Sequence, residues 1–262
     1  MDEKFRRMNK EREWLLRDKY RGIESPEFFI DLKRIEDGEP VDYVIGLSTL
    51  LGCRIDLSLR PLIPRTETEY WVEKAITVIQ NSFGVDAELR FLDVFAGSGC
   101  IGIALLKQFP NAYVDFADID DSALKQIQKN LELNSIDPSR YAIYKSDVFA
   151  DIPVDKKYDA IFANPPYISK ASKEKMTDSV LEYEPHQALF SGEDGLDLIR
   201  TMFKTIRPFL SDTSYVFLEH DDEQVSAIES ILKSAQFTAY EFHKDQFGLS
   251  RWVRIKNFPV SS

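Results

Sequence analysis

The sequence predicts an α/β fold with a sheet of seven, mostly parallel strands and helices on both faces. Segments with strand patterns alternate regularly with segments with helical patterns over residues 90–219. A glycine turn at residues 96–99 directly follows the first of these strands. The last two strand segments are separated only by residues 244–250, which favours a closing antiparallel hairpin.

Each element of the predicted sheet has its own local pattern. A helix is predicted at residues 67–80, ahead of the sheet. Strands are predicted at residues 90–95, 113–119, 141–146, 158–163, 215–219, 238–243 and 251–255. Helices between the first five strands are predicted at residues 100–109, 122–133 and 195–210.

The chain ahead of the sheet is charged and helical in pattern. We expect two short helices here, with a break near residues 22–26, and then a β-hairpin within residues 44–59. The predicted organisation is therefore a short N-terminal helical region at 1–43, a hairpin linker at 44–60 and a main domain at 61–262.

The composition is that of a globular protein, with 44% hydrophobic and 29% charged residues. No apolar run approaches the roughly 20 residues that cross a bilayer. Cys53 and Cys100 lie far apart and outside any Cys/His cluster, which favours a reducing compartment and gives no reason to expect a metal. We expect a cytoplasmic, monomeric enzyme without a membrane partner.

The net charge of −11 bears on nucleic-acid binding. Such a charge repels a phosphate backbone, since nonspecific affinity for nucleic acids comes largely from Lys and Arg. A local basic patch stays compatible with this balance. Direct nucleic-acid binding is nevertheless not expected.

The glycine turn is the first candidate binding feature. Glycines at a strand-to-helix turn let the backbone approach a ligand and leave helix N–H groups pointing at it. By itself, the turn is read equally well as a tight connection without a ligand. The candidate cofactor-binding residues of this segment are Asp93, Phe95, Ala96, Gly97, Ser98 and Gly99.

Acidic residues follow the next two strands. Asp118 comes about 20 residues after the glycines, where a carboxylate can accept hydrogen bonds from ribose hydroxyls, while Asp120 or Asp121 suits the cap of the next helix. Asp147 can accept from an adenine amino group while Val148 or Phe149 packs on the ring. These strand ends predict an adenosine-containing cofactor, and a nicotinamide dinucleotide would fit them too.

The fourth strand runs into Asn164-Pro165-Pro166-Tyr167. The two prolines stiffen the backbone and leave only carbonyl acceptors, and the Asn164 side chain adds another acceptor. The Asn164 oxygen and the Pro165 carbonyl can receive both hydrogens of a planar NH2 group, with Tyr167 packed on its face. An isolated Asn-Pro-Pro is more often a rigid turn, but its place after the glycine turn and two acidic strand ends favours catalysis of methyl transfer to nitrogen by orientation.

These residues resemble the class I S-adenosylmethionine-dependent methyltransferases that modify amide or exocyclic nitrogens. More narrowly, the chain resembles the HemK/PrmC family, the peptide chain release factor glutamine N5-methyltransferases, over residues 37–255. Outside the cofactor motif, the resemblance rests on Gly38-Glu39-Pro40 with the following hairpin, on residues 62–69, on residues 183–196 and on the ending at residues 247–251.

The resemblance implies a fold, a cofactor and a substrate. The fold would be a Rossmann-like seven-stranded class I methyltransferase sheet with an antiparallel last strand. The cofactor would be S-adenosyl-L-methionine, leaving S-adenosyl-L-homocysteine, and its contacts would be Phe95, Ala96, Gly97, Ser98, Gly99, Asp118, Val148 and Asn164. The substrate would be the glutamine of a Gly-Gly-Gln motif in a release factor, held by Asn164, Pro165, Pro166 and Tyr167. Arg65, Glu67 and Glu69 would line the entrance or brace its wall, although an ordinary acidic helix start explains them nearly as well.

The sequence departs from the family pattern in two places. Phe95 stands where the family's glycine loop usually begins with Gly, and this loop looks more like those of methyltransferases acting on guanine in ribosomal RNA. The N-terminal helical part, which helps the family recognise the release factor, is short. The alternatives are therefore an N-methyltransferase acting on a base of RNA or DNA, which would need base extrusion and a basic groove, and a non-catalytic scaffold.

Overall fold

The computed structural model describes residues 3–257 of the 262-residue chain. Residues 1–2 of the predicted N-terminal helical region and residues 258–262 of the predicted main domain lie outside the described residues. Within residues 3–257, no helix is both long enough and apolar enough to cross a membrane.

The N-terminal part contains the predicted helices and hairpin, together with one additional short helix. The helices are α1 (Glu3–Asp18), α2 (Pro26–Glu36) and α3 (Val41–Ile45), and the hairpin pairs β1 (Leu47–Leu50) with β2 (Cys53–Asp56). Helix α3 was not predicted and takes up the first two residues of the predicted hairpin. Pro40 at its N-cap and left-handed Gly46 at its C-cap set its ends. The division of the chain after residues 43 and 60 stays a prediction.

The sheet has seven strands in the order β5-β4-β3-β6-β7-β9-β8. Strands β3 to β7 are parallel to one another, and β9 is antiparallel to both β7 and β8. The predicted mostly parallel sheet with an antiparallel last strand is confirmed. Its strands are β3 (Arg90–Val94), β4 (Tyr113–Asp118), β5 (Tyr141–Lys145), β6 (Tyr158–Ala163), β7 (Leu210–Glu219), β8 (Tyr240–Lys244) and β9 (Ser250–Asn257).

Helices connect these strands and cover both faces of the sheet. They are α4 (Thr66–Phe83), α5 (Cys100–Gln108), α6 (Asp121–Leu133), α7 (Asp178–Tyr183), α8 (Asp197–Thr205) and α9 (Val225–Ser234). Helices α7 and α9 were not predicted. Helix α9 buries Ile228 and Leu232 against the sheet, four residues apart on one face of the helix.

Among the described residues, the core around the sheet has two parts, one on each face, and a separate apolar cluster lies among α1, α2 and α3. Neighbouring residues of β3 belong to different parts, because successive strand side chains point to opposite faces. Phe91 packs in the core formed by α4, α5 and α6, whereas Leu92 packs in the core formed by α8 and α9. On the first face, Gly102 lets α5 approach the ring of Phe116, since an added Cβ would lie 2.2 Å from that ring.

The hairpin is fixed to α6 by buried amide side chains spaced four residues apart. Asn134 accepts from the Arg54 N–H at 3.1 Å and donates to the Arg54 carbonyl at 2.7 Å. Asn130 accepts from the Asp56 N–H at 2.7 Å and donates to the Ser98 carbonyl at 2.9 Å. These bonds supply partners for backbone N–H and C=O groups on the edge of β2, and they place the linker beside the glycine turn.

Candidate active site

A cavity of about 480 Å³ opens at the carboxyl ends of β3 and β6. These strands are neighbours in the sheet, although β4 and β5 come between them in the chain. Such a reversal of strand order is where open α/β sheets bind ligands, and the volume suits a small-molecule site.

The cavity brings together most of the residues singled out from the sequence. The predicted residues that line it are Arg65, Phe95, Ala96, Gly97, Ser98, Asp118, Asp147, Val148, Asn164 and Pro166. The predicted residues that lie outside its lining are Glu67, Asp93, Gly99, Pro165 and Tyr167. Each residue of the second group is close in sequence to a residue that lines the cavity. The two groups therefore come from the same segments and differ only in which residues reach the cavity.

Two non-glycine residues at the cavity adopt the left-handed region. Phe95 has φ 63° and Val148 has φ 54°. This conformation costs roughly 1–2 kcal/mol for a residue with a Cβ, and such strain is often found at functional sites. The Phe95 position therefore needs a backbone conformation that glycine adopts without strain, and the chain places an aromatic residue there.

Asp118 holds the glycine turn in place. Its carboxylate accepts from the Gly97 N–H at 2.8 Å and from the Asp120 N–H at 2.9 Å. Burial raises its pKa, and these two backbone bonds oppose the shift. Each carboxylate oxygen can accept more than one hydrogen bond, so Asp118 keeps capacity for a ligand. Asp120 caps α6 by accepting from Ser122, as predicted.

Asp93 lies in the interior and does not reach the cavity. One carboxylate oxygen accepts from the Gly102 N–H at 2.8 Å, and the other has no hydrogen-bond partner within residues 3–257. Burial raises the pKa of Asp93 to about 8. Asp93 thus supports the start of α5, and its contact with the cofactor stays a prediction.

Two apolar candidates, Val148 and Phe149, follow β5, and one of them lies at the cavity. Val148 is buried and lines it, beside the exposed Asp147. Phe149 instead stacks on Phe209, with ring centroids 4.9 Å apart. Of the two residues predicted to pack on a ligand ring, Val148 is therefore the one in position.

The buried carboxylate of Glu219, at the end of β7, organises the neighbouring side chains. Glu219 is 1% exposed and accepts from the Thr68 hydroxyl at 2.7 Å, the Trp71 indole N–H at 2.5 Å and the Tyr167 hydroxyl at 2.9 Å. Burial raises its pKa, and these donors oppose the shift. Since a buried carboxylate needs donors, the Tyr167 hydroxyl is directed to Glu219, and Tyr167 is not among the residues that line the cavity. Its packing on the substrate stays a prediction.

Asn164 connects this buried group to the cavity. Its side-chain NH2 donates to the Thr68 hydroxyl oxygen at 3.3 Å, and Asn164 and Thr68 both line the cavity. The end of β6 is thereby joined to the first turn of α4. The sequence did not single out Thr68 or this bond.

The backbone of Tyr167 is also held from the far side. The Gln224 side chain donates to the Tyr167 carbonyl at 2.8 Å. Gly195 packs on the same carbonyl: its φ is +79°, and an added Cβ would lie 2.1 Å from the carbonyl oxygen. The position therefore requires glycine both for its conformation and for the close approach.

Two segments far apart in the sequence meet at the entrance. Arg65 donates to the Glu184 carboxylate at 2.5 Å, and the Ile63 N–H donates to its other oxygen at 3.3 Å. Glu67 contacts only its neighbour Thr66 among the hydrogen bonds of the described chain, whereas Glu69 accepts from the Leu51 N–H of the hairpin. Arg65 lines the cavity, and Glu69 braces the wall.

Sequence reasoning missed the buried partners of the site, among them Thr68, Glu184, Glu219 and Gln224. A signal was available for Glu219, because it is an acid at the carboxyl end of a strand, like Asp118. Thr68 and Glu184 lie within the family stretches 62–69 and 183–196, although the sequence assigned them no role, and no local pattern distinguishes Gln224 from an ordinary surface residue.

Three comparisons with known proteins agree with this geometry. The family model "Methyltransferase small domain" matches residues 72–200. The release factor glutamine methyltransferase of Streptococcus pneumoniae is 34% identical over 88% of this chain and 80% of its own length, and that of Flavobacterium psychrophilum is 30% identical over 86% and 78%. The crystal structure of ribosomal protein L11 methylase from Lactobacillus delbrueckii subsp. bulgaricus, 20% identical, covers 77% of this chain and 82% of its own, with a TM-score of 0.53.

The sheet order and the cavity at its reversal point define a class I methyltransferase fold. The curated relatives narrow this class. The chain belongs to the family of release factor glutamine methyltransferases.

Proposed function

We propose that the chain transfers a methyl group from S-adenosyl-L-methionine to the side-chain amide nitrogen (N5) of the glutamine in the Gly-Gly-Gln motif of a peptide chain release factor. One observation carries the proposal: Asn164, an amide with a fixed partner, lies in the same cavity as the glycine turn and Asp118. A group that orients a nitrogen and a group that holds a nucleoside are thus side by side.

The residues of the cavity fit the cofactor. Asp118 keeps acceptor capacity for the ribose hydroxyls, Asp147 can accept from the adenine amino group, and the buried Val148 offers an apolar surface to the ring. Gly97 and Ser98 bring the backbone close to the remainder of the molecule. When bound, the cofactor supplies a methyl group activated by its positive sulfur.

The Asn164 segment suits the glutamine amide. Its side-chain oxygen and the Pro165 carbonyl accept the two N–H hydrogens, which leaves the nitrogen lone pair directed at the methyl group. An amide nitrogen is a poor nucleophile because its lone pair is delocalised, so orientation and fixed dipoles provide most of the rate enhancement. Pro166 lines the same wall and keeps it rigid.

The choice of a protein substrate is supported by the relatives and by charge. The curated relatives named release factor glutamine methyltransferase match this chain over most of their length. The net charge of −11 opposes binding of a nucleic-acid backbone. Both observations favour the release factor over a base of RNA or DNA.

A competition assay tests the proposal. The protein is incubated with methyl-labelled cofactor, a release factor and ribosomal RNA in one mixture, with a second release factor whose Gly-Gly-Gln glutamine is replaced by alanine as the matched control. We expect label on the first release factor only. Label on the RNA, or equal label on the two release factors, contradicts the proposal.

A further inference from the structure

We propose that Thr68 and Glu219 form a relay of hydrogen bonds that fixes which end of the Asn164 amide faces the cavity. Thr68 and Glu219 are then positioning residues for methyl transfer, since they act through Asn164. The effect that we expect on turnover rests on the proposed function.

The direction of each bond in the relay follows from Trp71. The indole N–H can only donate, and it donates to the same Glu219 oxygen, Oε2, that Thr68 contacts. Thr68, Trp71 and Tyr167 surround Glu219 with donor groups, as suits a carboxylate, and in that form Oε2 can only accept. Thr68 must therefore give its single hydrogen to Glu219.

This direction leaves Thr68 as an acceptor towards Asn164. A hydroxyl that has donated its hydrogen offers only lone pairs to a second neighbour. Asn164 must then present its NH2 group to Thr68, at the observed 3.3 Å, and its oxygen Oδ1 away from Thr68. The free acceptor of Asn164 is thus the end available to a substrate NH2 group.

Shape alone cannot make this choice. The oxygen and nitrogen ends of an asparagine amide are nearly the same size, so packing does not distinguish the two orientations and hydrogen bonding must. In the flipped orientation, Asn164 would present two donors to a substrate group that also has two donors. Methyl transfer by the proposed geometry would fail in that orientation.

The relay is fixed within the core. Thr68 and Glu219 are 2% and 1% exposed, so there is little access for water to replace either partner. Trp71 packs on Phe162 and Trp252 of the sheet, with ring centroids 6.3 and 6.4 Å away. The donor that sets the direction of the chain of bonds is therefore held by aromatic packing against the sheet.

Three variants separate the relay from a general structural role. Thr68→Val keeps the shape and removes both hydrogen bonds, whereas Thr68→Ser keeps the hydroxyl. Glu219→Gln keeps an acceptor for Trp71 and Thr68 and turns its NH2 towards Tyr167. The matched control is Thr77→Val, on the exposed side of the same helix, where the hydroxyl bonds only the Glu73 carbonyl among the described residues.

We expect a specific pattern in the kinetics of methyl transfer to the release factor. Thr68→Val lowers kcat about 10- to 100-fold, with the cofactor Kd and the release factor KM within about threefold of wild type, since misorientation affects the reacting group. Thr68→Ser and Glu219→Gln stay within about threefold to fivefold of the wild-type kcat. Thr77→Val is unchanged.

The relay is contradicted if Thr68→Val retains the wild-type kcat, or if Thr68→Ser loses as much as Thr68→Val. A loss of kcat that is accompanied by weaker cofactor binding or by a lower unfolding temperature also contradicts the relay, because a general structural role would change those quantities.

A measurement without substrate separates this inference from the proposed function. The side-chain NH2 protons of Asn164, assigned in NMR spectra by their loss in Asn164→Ala, should exchange slowly with water in the wild type and in Thr68→Ser, and faster in Thr68→Val. Equal exchange in the two Thr68 variants refutes the relay. Absence of methylation by the wild-type protein refutes the proposed function and leaves this exchange result to decide the relay.

Discussion

Arg65 and Glu184 form an ion pair at 2.5 Å that joins the start of α4 to the segment after β6, across 119 residues of sequence. The Glu184 side chain is 1% exposed, whereas that of Arg65 is 36% exposed. The pair therefore ties a wall of the cavity to a buried carboxylate whose other oxygen accepts from the Ile63 N–H.

The two ends of this pair should differ in their contribution to stability. Arg65→Ala leaves a buried carboxylate with one backbone donor and should lower the free energy of unfolding by about 1–3 kcal/mol. Glu184→Gln keeps an acceptor and removes the charge, so its cost should be smaller. Denaturant unfolding of both variants measures the difference, and an equal or reversed order contradicts this account of the pair.

Asn164→Ala should separate cofactor binding from methyl transfer. The cofactor Kd, measured by calorimetry, should stay within about threefold, because Asp118, Val148 and the glycine turn remain. Turnover with the release factor should fall by about 10²-fold or more, as when one preorganised polar group is removed from an active site. Undiminished turnover would remove Asn164 from the reaction.

Asp93 should make stability depend on pH. Its pKa of about 8 in the folded protein lies above the usual value of 3.8, so the folded state binds more protons than the unfolded state between these values. The contribution of Asp93 to the free energy of unfolding is thus fully present at low pH. It falls as pH rises from about 4 to about 8, by up to about 1.4 kcal/mol per pH unit.

Asp93→Asn is the matched variant for this pH effect. The asparagine keeps an acceptor for the Gly102 N–H and does not titrate. Denaturant unfolding at several pH values should show a shallower decline for the variant than for the wild type. Parallel curves would mean that Asp93 does not titrate in this range.

Gly102→Ala should destabilise the protein although alanine is the better helix former. The added methyl group would lie 2.2 Å from the Phe116 ring, and overpacking of this kind typically costs about 1–3 kcal/mol. Phe116→Leu in the same chain should recover part of the loss, because it opens space on the opposite side. Additive losses in the double variant, measured by thermal unfolding, would contradict a direct clash.

Local patterns in the sequence were sufficient to predict the sheet, the glycine turn and the strand-end acids. They depend on periodicity and on the rule that parallel strands end at the same edge. The relay could not be predicted in this way, because Thr68 and Glu219 are 151 residues apart and meet only through tertiary packing. The same reason explains Tyr167, whose hydroxyl is drawn to a buried carboxylate that no local pattern connects with it.

The missed helices have a related cause. Helix α3 has only five residues between Pro40 and Gly46, and the alternating β-formers around it resemble the start of the hairpin. The choice of Val148 over Phe149 also depended on the fold, because Phe209 supplies the stacking partner that turns Phe149 away from the cavity.

Residue-level mass spectrometry of a release factor incubated with the protein and S-adenosyl-L-methionine tests the central claim most directly. We predict one added methyl group on the side chain of the Gly-Gly-Gln glutamine, absent with Asn164→Ala. A methyl group on any other residue, or an unmodified glutamine with wild-type protein that binds the cofactor, would contradict it.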